Sequence, residues 1–337
     1  MILHIFPDEK FTLDYINRID RIFGINNHFF VIYGHNIQLN NYACFQSTEH
    51  FLYYNPDKDS IESLRKIIVN SERIVLHSLP SYSNILICLY DCFCVRENNS
   101  VLFWGVWGSD LYNDCRLHHS SKVLTHPQYL YKEYIRKKII ARMDFIISSC
   151  DYELVKKLYK TNARQLKAVY SFNFYDYKIE ENSKPIVLVG HSATKTCRHL
   201  ETFSMLEKYK DKIMVVCPLS YPKDQKSINY REKVILIGKQ KFKDSFKPIT
   251  DFMNYKEYTQ FLCNVDIGVF NNDRQQGMGN ITNLLYYGKK VYLSEDNTIS
   301  KVYHSPDYTI FSCNDIAEES FLSPLSEGEI KKIKLES

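Results

Sequence analysis

The sequence predicts an α/β protein built from two Rossmann-like domains that face a central cleft. Three observations carry this expectation: short apolar runs rich in β-branched and aromatic residues, helix-period stretches between them, and a charged break near the middle. At about 150 residues per domain, the 337 residues suit two domains.

The first series of runs lies at 1–6 (MILHIF), 29–34 (FFVIYG), 73–78 (RIVLHS), 100–108 (SVLFWGVWG) and 144–149 (DFIISS). Runs this continuous are buried on both faces, as in a mainly parallel sheet. Helical patterns at 60–70, 82–95 and 128–143 separate them. Asp59 followed by Glu62 reads as a capping box opening the first of these helices. Asp57 and Asp59 also spell D-x-D, a metal and nucleotide signature in some glycosyltransferases, but the helix start is preferred because no strand leads tightly into it. A polar stretch at 175–185 reads as a linker. Beyond it come runs at 185–190 (PIVLVG), 212–218 (KIMVVCP), 233–238 (KVILIG), 266–270 (DIGVF) and 289–294 (KKVYLS), with helices at 197–209, 255–264 and 278–287. The expected domains are 1–174 and 185–315, with the option that the last residues return to the first.

Hydrophobic residues make up 45% and charged residues 24%, which excludes disordered, collagen-like and integral-membrane classes. Lysine plus arginine (43) against aspartate plus glutamate (39) leaves +4, too mild for a nucleic-acid binder, so no nucleic acid is expected. The start, MILHIFPDEKF, has no basic leader, and the longest apolar stretch, 85–95, is interrupted by Asp91. It falls short of the roughly 20 residues needed to span a bilayer. The chain is therefore expected in the cytosol. Ten cysteines lie without C-x-x-C pairs, and Cys88, Cys150 and Cys217 sit in apolar segments, as reduced core thiols do. Cys92 and Cys94, one residue apart and without a nearby histidine, make a poor metal half-site.

Open α/β sheets bind ligands at the carboxyl ends of their strands, so function is sought there. Strand 185–190 ends in Gly190, His191 and Ser192 and reaches a helix through Lys195 and Thr196. Small and hydroxyl residues there admit an anion to backbone amides and to the helix N-terminus, making a diphosphate cradle that is neither G-x-G-x-x-G nor a P-loop. Strand 266–270 leads into Arg274, Gln275, Gln276, Gly277, Gly279 and Asn280 before an apolar helix. The arginine offsets negative charge, the glutamines donate to phosphate or sugar oxygens, and the glycines allow close backbone approach. The competing reading is an ordinary solvated turn.

In the first half, strand 100–108 runs into Trp107, Ser109 and Asp110. Asp110 at a strand end suits a general base, and equally suits a helix cap. His77 ends the neighbouring strand, where it either binds substrate or makes a local hydrogen bond. His118 and His119 have less purpose. The segment 129–143 sets Lys132, Arg136, Lys137, Lys138 and Arg142 among Tyr, Leu and Ile. It reads either as a helix touching anionic lipid or as a surface helix with its apolar stripe in the core.

The segments FWGVWGSDLY, LVGHS with Lys195, Thr196 and His199, VVCPLSYP, and RQQGMG, in this order, resemble glycosyltransferase family 56 from about residue 70 to about 300. The resemblance is most specific at 103–112 and 274–279, and His191 and Arg198 depart from it. It implies a GT-B hexosyltransferase, independent of metal and without a cofactor. The implied reaction moves 4-acetamido-4,6-dideoxygalactose or a similar deoxyamino sugar from a TDP-sugar to an undecaprenyl-diphosphate-linked saccharide, in synthesis of enterobacterial common antigen, O-antigen or a related surface polysaccharide. The implied location is peripheral on the inner face of the plasma membrane through 129–143. Gly190, Ser192, Lys195, Thr196, His199, Arg274, Gln275, Gln276, Gly277, Gly279 and Asn280 would contact the donor, with Pro218 and Tyr221 near its base or ribose. Asp110 would be the base, with Trp107, Ser109 and His77 shaping the acceptor site. Two alternatives are kept: a GT-B-like nucleotide-sugar epimerase or hydrolase, and a non-catalytic membrane-associated scaffold.

Overall fold

The computed structural model describes residues 1–9, 12–37, 39–45, 49–96, 98–112, 127–168, 174–303 and 309–333. His118 and His119 lie outside them. The chain divides into two compact units, Met1–Tyr170 and Ser171–Ser337.

The first unit runs β1 (Ile2–Pro7), α1 (Thr12–Phe23), β2 (His28–Tyr33), β3 (Phe51–Tyr54), α2 (Ile61–Val69), β4 (Arg73–His77), α3 (Ser83–Tyr90), β5 (Val101–Gly105), α4 (Ser109–Tyr112), α5 (Pro127–Arg142), β6 (Phe145–Ile147), α6 (Tyr152–Tyr159) and β7 (Arg164–Leu166). Its strands order β3-β2-β1-β4-β5-β6-β7, all parallel. Alternation along β1 shows why a parallel strand must be apolar throughout. Leu3 and Ile5 enter one core with Leu76, Leu102 and Trp104, while Phe6 enters a second with Ile16, Phe30 and Ile32. The aromatic β3 and helix α1 lie in the opening 60 residues, where only the strands at 1–6 and 29–34 were expected. The cap of α2 is Ser60, whose hydroxyl accepts from the Glu62 N–H. Asp59, the expected cap, instead accepts from the Asn55 N–H at 2.6 Å. A strand does lead into the D-x-D segment: β3 ends at Tyr54, three residues before Asp57.

The second unit runs β8 (Ile186–Val189), α7 (His199–Leu206), β9 (Met214–Pro218), α8 (Gln225–Phe242), β10 (Phe246–Ile249), α9 (Tyr255–Cys263), β11 (Ile267–Phe270), α10 (Met278–Tyr286), β12 (Lys290–Leu293), α11 (Thr298–Tyr303), β13 (Phe311–Ser312) and α12 (Glu327–Ile333). The order β10-β9-β8-β11-β12-β13, again all parallel, turns back between β8 and β11, as the first sheet does between β1 and β4. Both sheets thus carry the doubly wound order whose turning point is a ligand crevice. Residues beyond 315 pack on this unit: Phe321 is in its core, and the Tyr209 hydroxyl donates to the carbonyls of Ile316 and Glu318.

One expected strand is corrected. Residues 233–238 lie inside α8, an 18-residue helix opened by Asp224, whose carboxylate accepts from the Lys226 and Ser227 N–H groups. Val234, Gly238 and Phe242 are its buried positions, a spacing of four that defines one helix face. Gly238 is small because the ring of Phe246 in β10 lies against it. The strand of this region is β10, which begins only after the helix ends.

Candidate functional site: the strand ends of each unit

At the carboxyl edge of the second sheet, two turns meet. After β8 the chain takes a left-handed turn at Gly190 (φ 68°), whose N–H donates to Val269 O of β11 at 3.0 Å. A Cβ there would sit 2.7 Å from His199 Nε2, so only glycine fits. After β11 the chain reaches Gly277 (φ 77°), the N-cap of α10, and no side chain caps this helix. Asn280 N–H donates to Gly277 O at 3.0 Å, and the Met278 and Gly279 N–H groups ahead of it are open to another acceptor.

The two turns are joined. Thr196 Oγ1 donates to Gln276 Oε1 at 2.9 Å, Gln276 Nε2 donates to Cys197 Sγ at 3.3 Å, and Asp273 N–H donates to Thr196 O at 3.2 Å. His191 lies over Gly277, where a Cβ would be 3.4 Å from its ring, and its Nδ1 is 3.4 Å from Cys197 Sγ. Burial pushes the Cys197 thiol up, but the neighbouring His191 and the hydrogen bonds from His191 and Thr194 outweigh it and bring it down to about 6. Ser192 is buried, with its hydroxyl within 3.1 Å of both His191 Nε2 and Thr194 Oγ1. Lys195 is exposed, and Arg274, Gln275 and Gly279 are partly exposed. Asn280 is turned inward and donates to the Tyr258 hydroxyl at 2.9 Å. Pro218 ends β9 and is buried, while the carbonyl of Tyr221 accepts from Ala193 N–H at 2.7 Å, tying the third loop to the first.

His199 differs from its expected role as a donor contact. It is fully buried beneath Gly190, its Nδ1 is 3.3 Å from the Tyr230 hydroxyl, and burial lowers it to about 3. It shapes the turn from below as a neutral ring.

In the first unit, Asp110 is likewise placed differently from a base awaiting a proton. It is 7% exposed, and its carboxylate accepts four hydrogen bonds: from Leu79 N–H (2.8 Å) and Trp104 Nε1 (2.8 Å) at Oδ2, and from Trp107 N–H and Leu111 N–H (both 3.1 Å) at Oδ1. Burial raises its pKa, and these bonds with the nearby Arg136 oppose the rise. The side chain pins the loops after β4 and β5 together, the capping alternative in extended form. His77 is buried as well. It stacks on Phe6 at 3.7 Å and lies 3.1 Å from His4 Nδ1, whose Nε2 is 2.9 Å from His28 Nδ1. The three histidines form a line across β4, β1 and β2 on the Phe6 face, so His77 makes local contacts instead of facing an acceptor. Trp107 is half-buried and Ser109 exposed.

The basic helix is α5. Arg136 is removed from its expected lipid face: it is 7% exposed, its Nη2 donates to Asp110 O at 2.6 Å, and its Nε is 3.1 Å from Glu133 Oε1. Its exposed residues include Leu130, Tyr131, Tyr134, Lys137 and Lys138. A cavity of about 340 Å³ between α3 and α5 is lined by Leu86, Ile87, Tyr131, Lys132 and Ile135 among others. No helix among the described residues is long and apolar enough to cross a membrane.

The sequence names Gln276 as a donor contact but gives no sign of its bridge to Cys197, nor of His35, whose Nδ1 is 2.7 Å from Asp57 Oδ2. The G-H-S and R-Q-Q-G strings mark the two turns; nothing local ties His35 to a residue 22 positions on.

Two doubly wound units with glycine-lined turns at the carboxyl edge of the second define a fold of the GT-B class. Solved structures agree on the fold. Anabaena HepE in complex with UDP and glucose superposes with a TM-score of 0.67 at 9% identity, covering 99% of this chain and 93% of that one. Sucrose-phosphate synthase of Thermosynechococcus elongatus gives 0.64 at 12%, covering 99% and 94%. A UDP-forming α,α-trehalose-phosphate synthase of Burkholderia vietnamiensis gives 0.58 at 8%, covering 99% and 94%. Residues 25–323 match the model of the family described as 4-alpha-L-fucosyltransferase, glycosyl transferase group 56, and the chain belongs to that family. It is a hexosyltransferase of GT-B type. Of the readings the sequence leaves open, sugar transfer is the one this family carries.

Proposed function

We propose that the enzyme transfers a deoxyamino sugar, 4-acetamido-4,6-dideoxygalactose or a close analogue, from a TDP-sugar to a hydroxyl of an undecaprenyl-diphosphate-linked saccharide in bacterial surface polysaccharide synthesis. The observation that carries the donor half is the uncapped N-terminus of α10 beside the Gly190 turn, with Lys195 and Arg274 on the same two loops. Amide N–H groups and two cations suit a diphosphate leaving group without a metal ion. HepE, the UDP-bound neighbour, supports a nucleotide diphosphate as ligand. The acceptor half rests on the α3–α5 cavity, whose mixed apolar and lysine lining suits a lipid-linked diphosphate, and on Lys137 and Lys138 beside exposed Leu130, Tyr131 and Tyr134. On this reading the domains are 1–174 for the acceptor and 185–315 for the donor, and the enzyme is peripheral on the cytoplasmic face of the membrane.

The test is thermal stabilisation by a panel of TDP-, UDP- and GDP-sugars, followed by transfer to a lipid-linked acceptor. Stabilisation confined to UDP- or GDP-sugars overturns the TDP assignment. For the membrane, two lysines near an anionic surface contribute about 1 kcal/mol each. Neutralising Lys137 and Lys138 together is expected to weaken binding to anionic vesicles by roughly 30-fold. Unchanged vesicle binding removes this helix from the interface.

A further inference from the structure

Asp110 has no oxygen left for a substrate proton, but the carboxyl edge of the first sheet carries another acid–base pair. His35 follows β2 and Asp57 follows β3, and the register pairs Tyr33 with Tyr54, so both loops leave the sheet level with one another. Asn55 ties the loops: its Nδ2 donates to His35 O at 3.0 Å, its Oδ1 accepts from Asp57 N–H at 3.0 Å, and its N–H donates to Asp59 at 2.6 Å. His35 Nδ1 stands 2.7 Å from Asp57 Oδ2. On another side the ring of Tyr82, the N-cap residue of α3, meets the imidazole edge-on at 4.9 Å and 77°. The side chain remains 49% exposed.

A carboxylate can only accept, so this contact fixes a proton on Nδ1 and turns the Nε2 lone pair away from Asp57. We propose that His35 is the general base of the transfer and that Asp57 is its positioning residue; this rests on the transferase reading above. In the step, the acceptor O–H proton passes to Nε2 while the acceptor oxygen bonds to the anomeric carbon of the sugar. The bond from that carbon to the diphosphate oxygen breaks, and its electron pair leaves on the diphosphate. The imidazolium then returns its proton to water. Attack opposite the leaving group inverts the anomeric centre.

An exposed ion pair contributes little to stability, so variants are expected to fold, which a melting curve within about 2 °C of wild type confirms. Transfer is measured with whichever nucleotide sugar of the panel supports it, onto the lipid-linked acceptor. His35→Ala is expected to lower kcat by at least about 100-fold with the donor KM within about threefold, and added imidazole to restore part of the rate. Asp57→Asn is expected to lower kcat roughly tenfold at unchanged KM. Product NMR is expected to show inversion. Normal kcat in both His35→Ala and His35→Gln, or retention of configuration, overturns the assignment while leaving the transferase reading intact. A wild type inert with every donor overturns the substrate reading and the assignment together.

Discussion

The Gly190 turn offers a direct test of how the carboxyl edge of the second sheet is built. Alanine at 190 meets two separable obstacles. The left-handed backbone (φ 68°) costs an L-residue roughly 1–2 kcal/mol. The new methyl lands 2.7 Å from His199 Nε2 and 3.2 Å from Cys197 Cβ, an overpacking that costs about 1–3 kcal/mol. Together Gly190→Ala is expected to destabilise by roughly 2–5 kcal/mol, a fall in melting temperature on the order of 10 °C for a unit of this size. Differential scanning calorimetry reads it. A double-mutant cycle divides the two causes: in a His199→Ala background the ring is gone, so adding Gly190→Ala should cost only the backbone part and the remaining contact with Cys197 Cβ, and the coupling should be at least about 1 kcal/mol. A Gly190→Ala protein melting within about 2 °C of wild type, or a cycle with no coupling, refutes the packing of His199 beneath this turn.

Three further outcomes follow from the same geometry. Asp110→Ala strands four buried donors, each worth roughly 1–3 kcal/mol when unpaired, and Asp110→Asn forces an amide against two of them; both should lose melting temperature before activity is considered. An Asp110→Asn enzyme with wild-type melting and a hundredfold lower kcat would restore the base assignment to Asp110. Burial lowers His4 to about 3, lowers His77 well below its ordinary value and also lowers His28. Because the unfolded chain binds those protons near pH 6.5 and the native state does not, stability is full above that pH and falls as pH drops below it, at up to about 1.4 kcal/mol per pH unit for each of the buried His4 and His77, with His28 adding in the same direction. Urea midpoints equal at pH 7 and pH 5 would contradict this. Gln276→Ala cuts the bridge between the two donor turns and is expected to raise the nucleotide-sugar KM about tenfold, in line with a lost interaction of about 1.4 kcal/mol, with kcat less affected; steady-state kinetics with the donor varied decides it.

The alternation of strand and helix is legible in the sequence alone, since buried parallel strands must be apolar on both faces, and the runs at 1–6, 73–78, 185–190 and 266–270 therefore stand out. The sequence also marked the glycine turns at 190 and 277, because few residue types tolerate a left-handed backbone, and the polar string at 274–280 beside the second of them. It misread 233–238, where the four apolar residues 234–237 fit a strand as well as a helix and only the buried spacing of Val234, Gly238 and Phe242 against β10 decides. Side-chain roles were least legible. Asp110, His77 and His199 stand at strand or helix ends in the sequence, yet whether such a group faces solvent or is consumed by donors and rings depends on strands 20 to 70 residues away. The pairing of His35 with Asp57 likewise exists only because β2 and β3 are neighbours in the sheet, a contact between loops that no local pattern encodes.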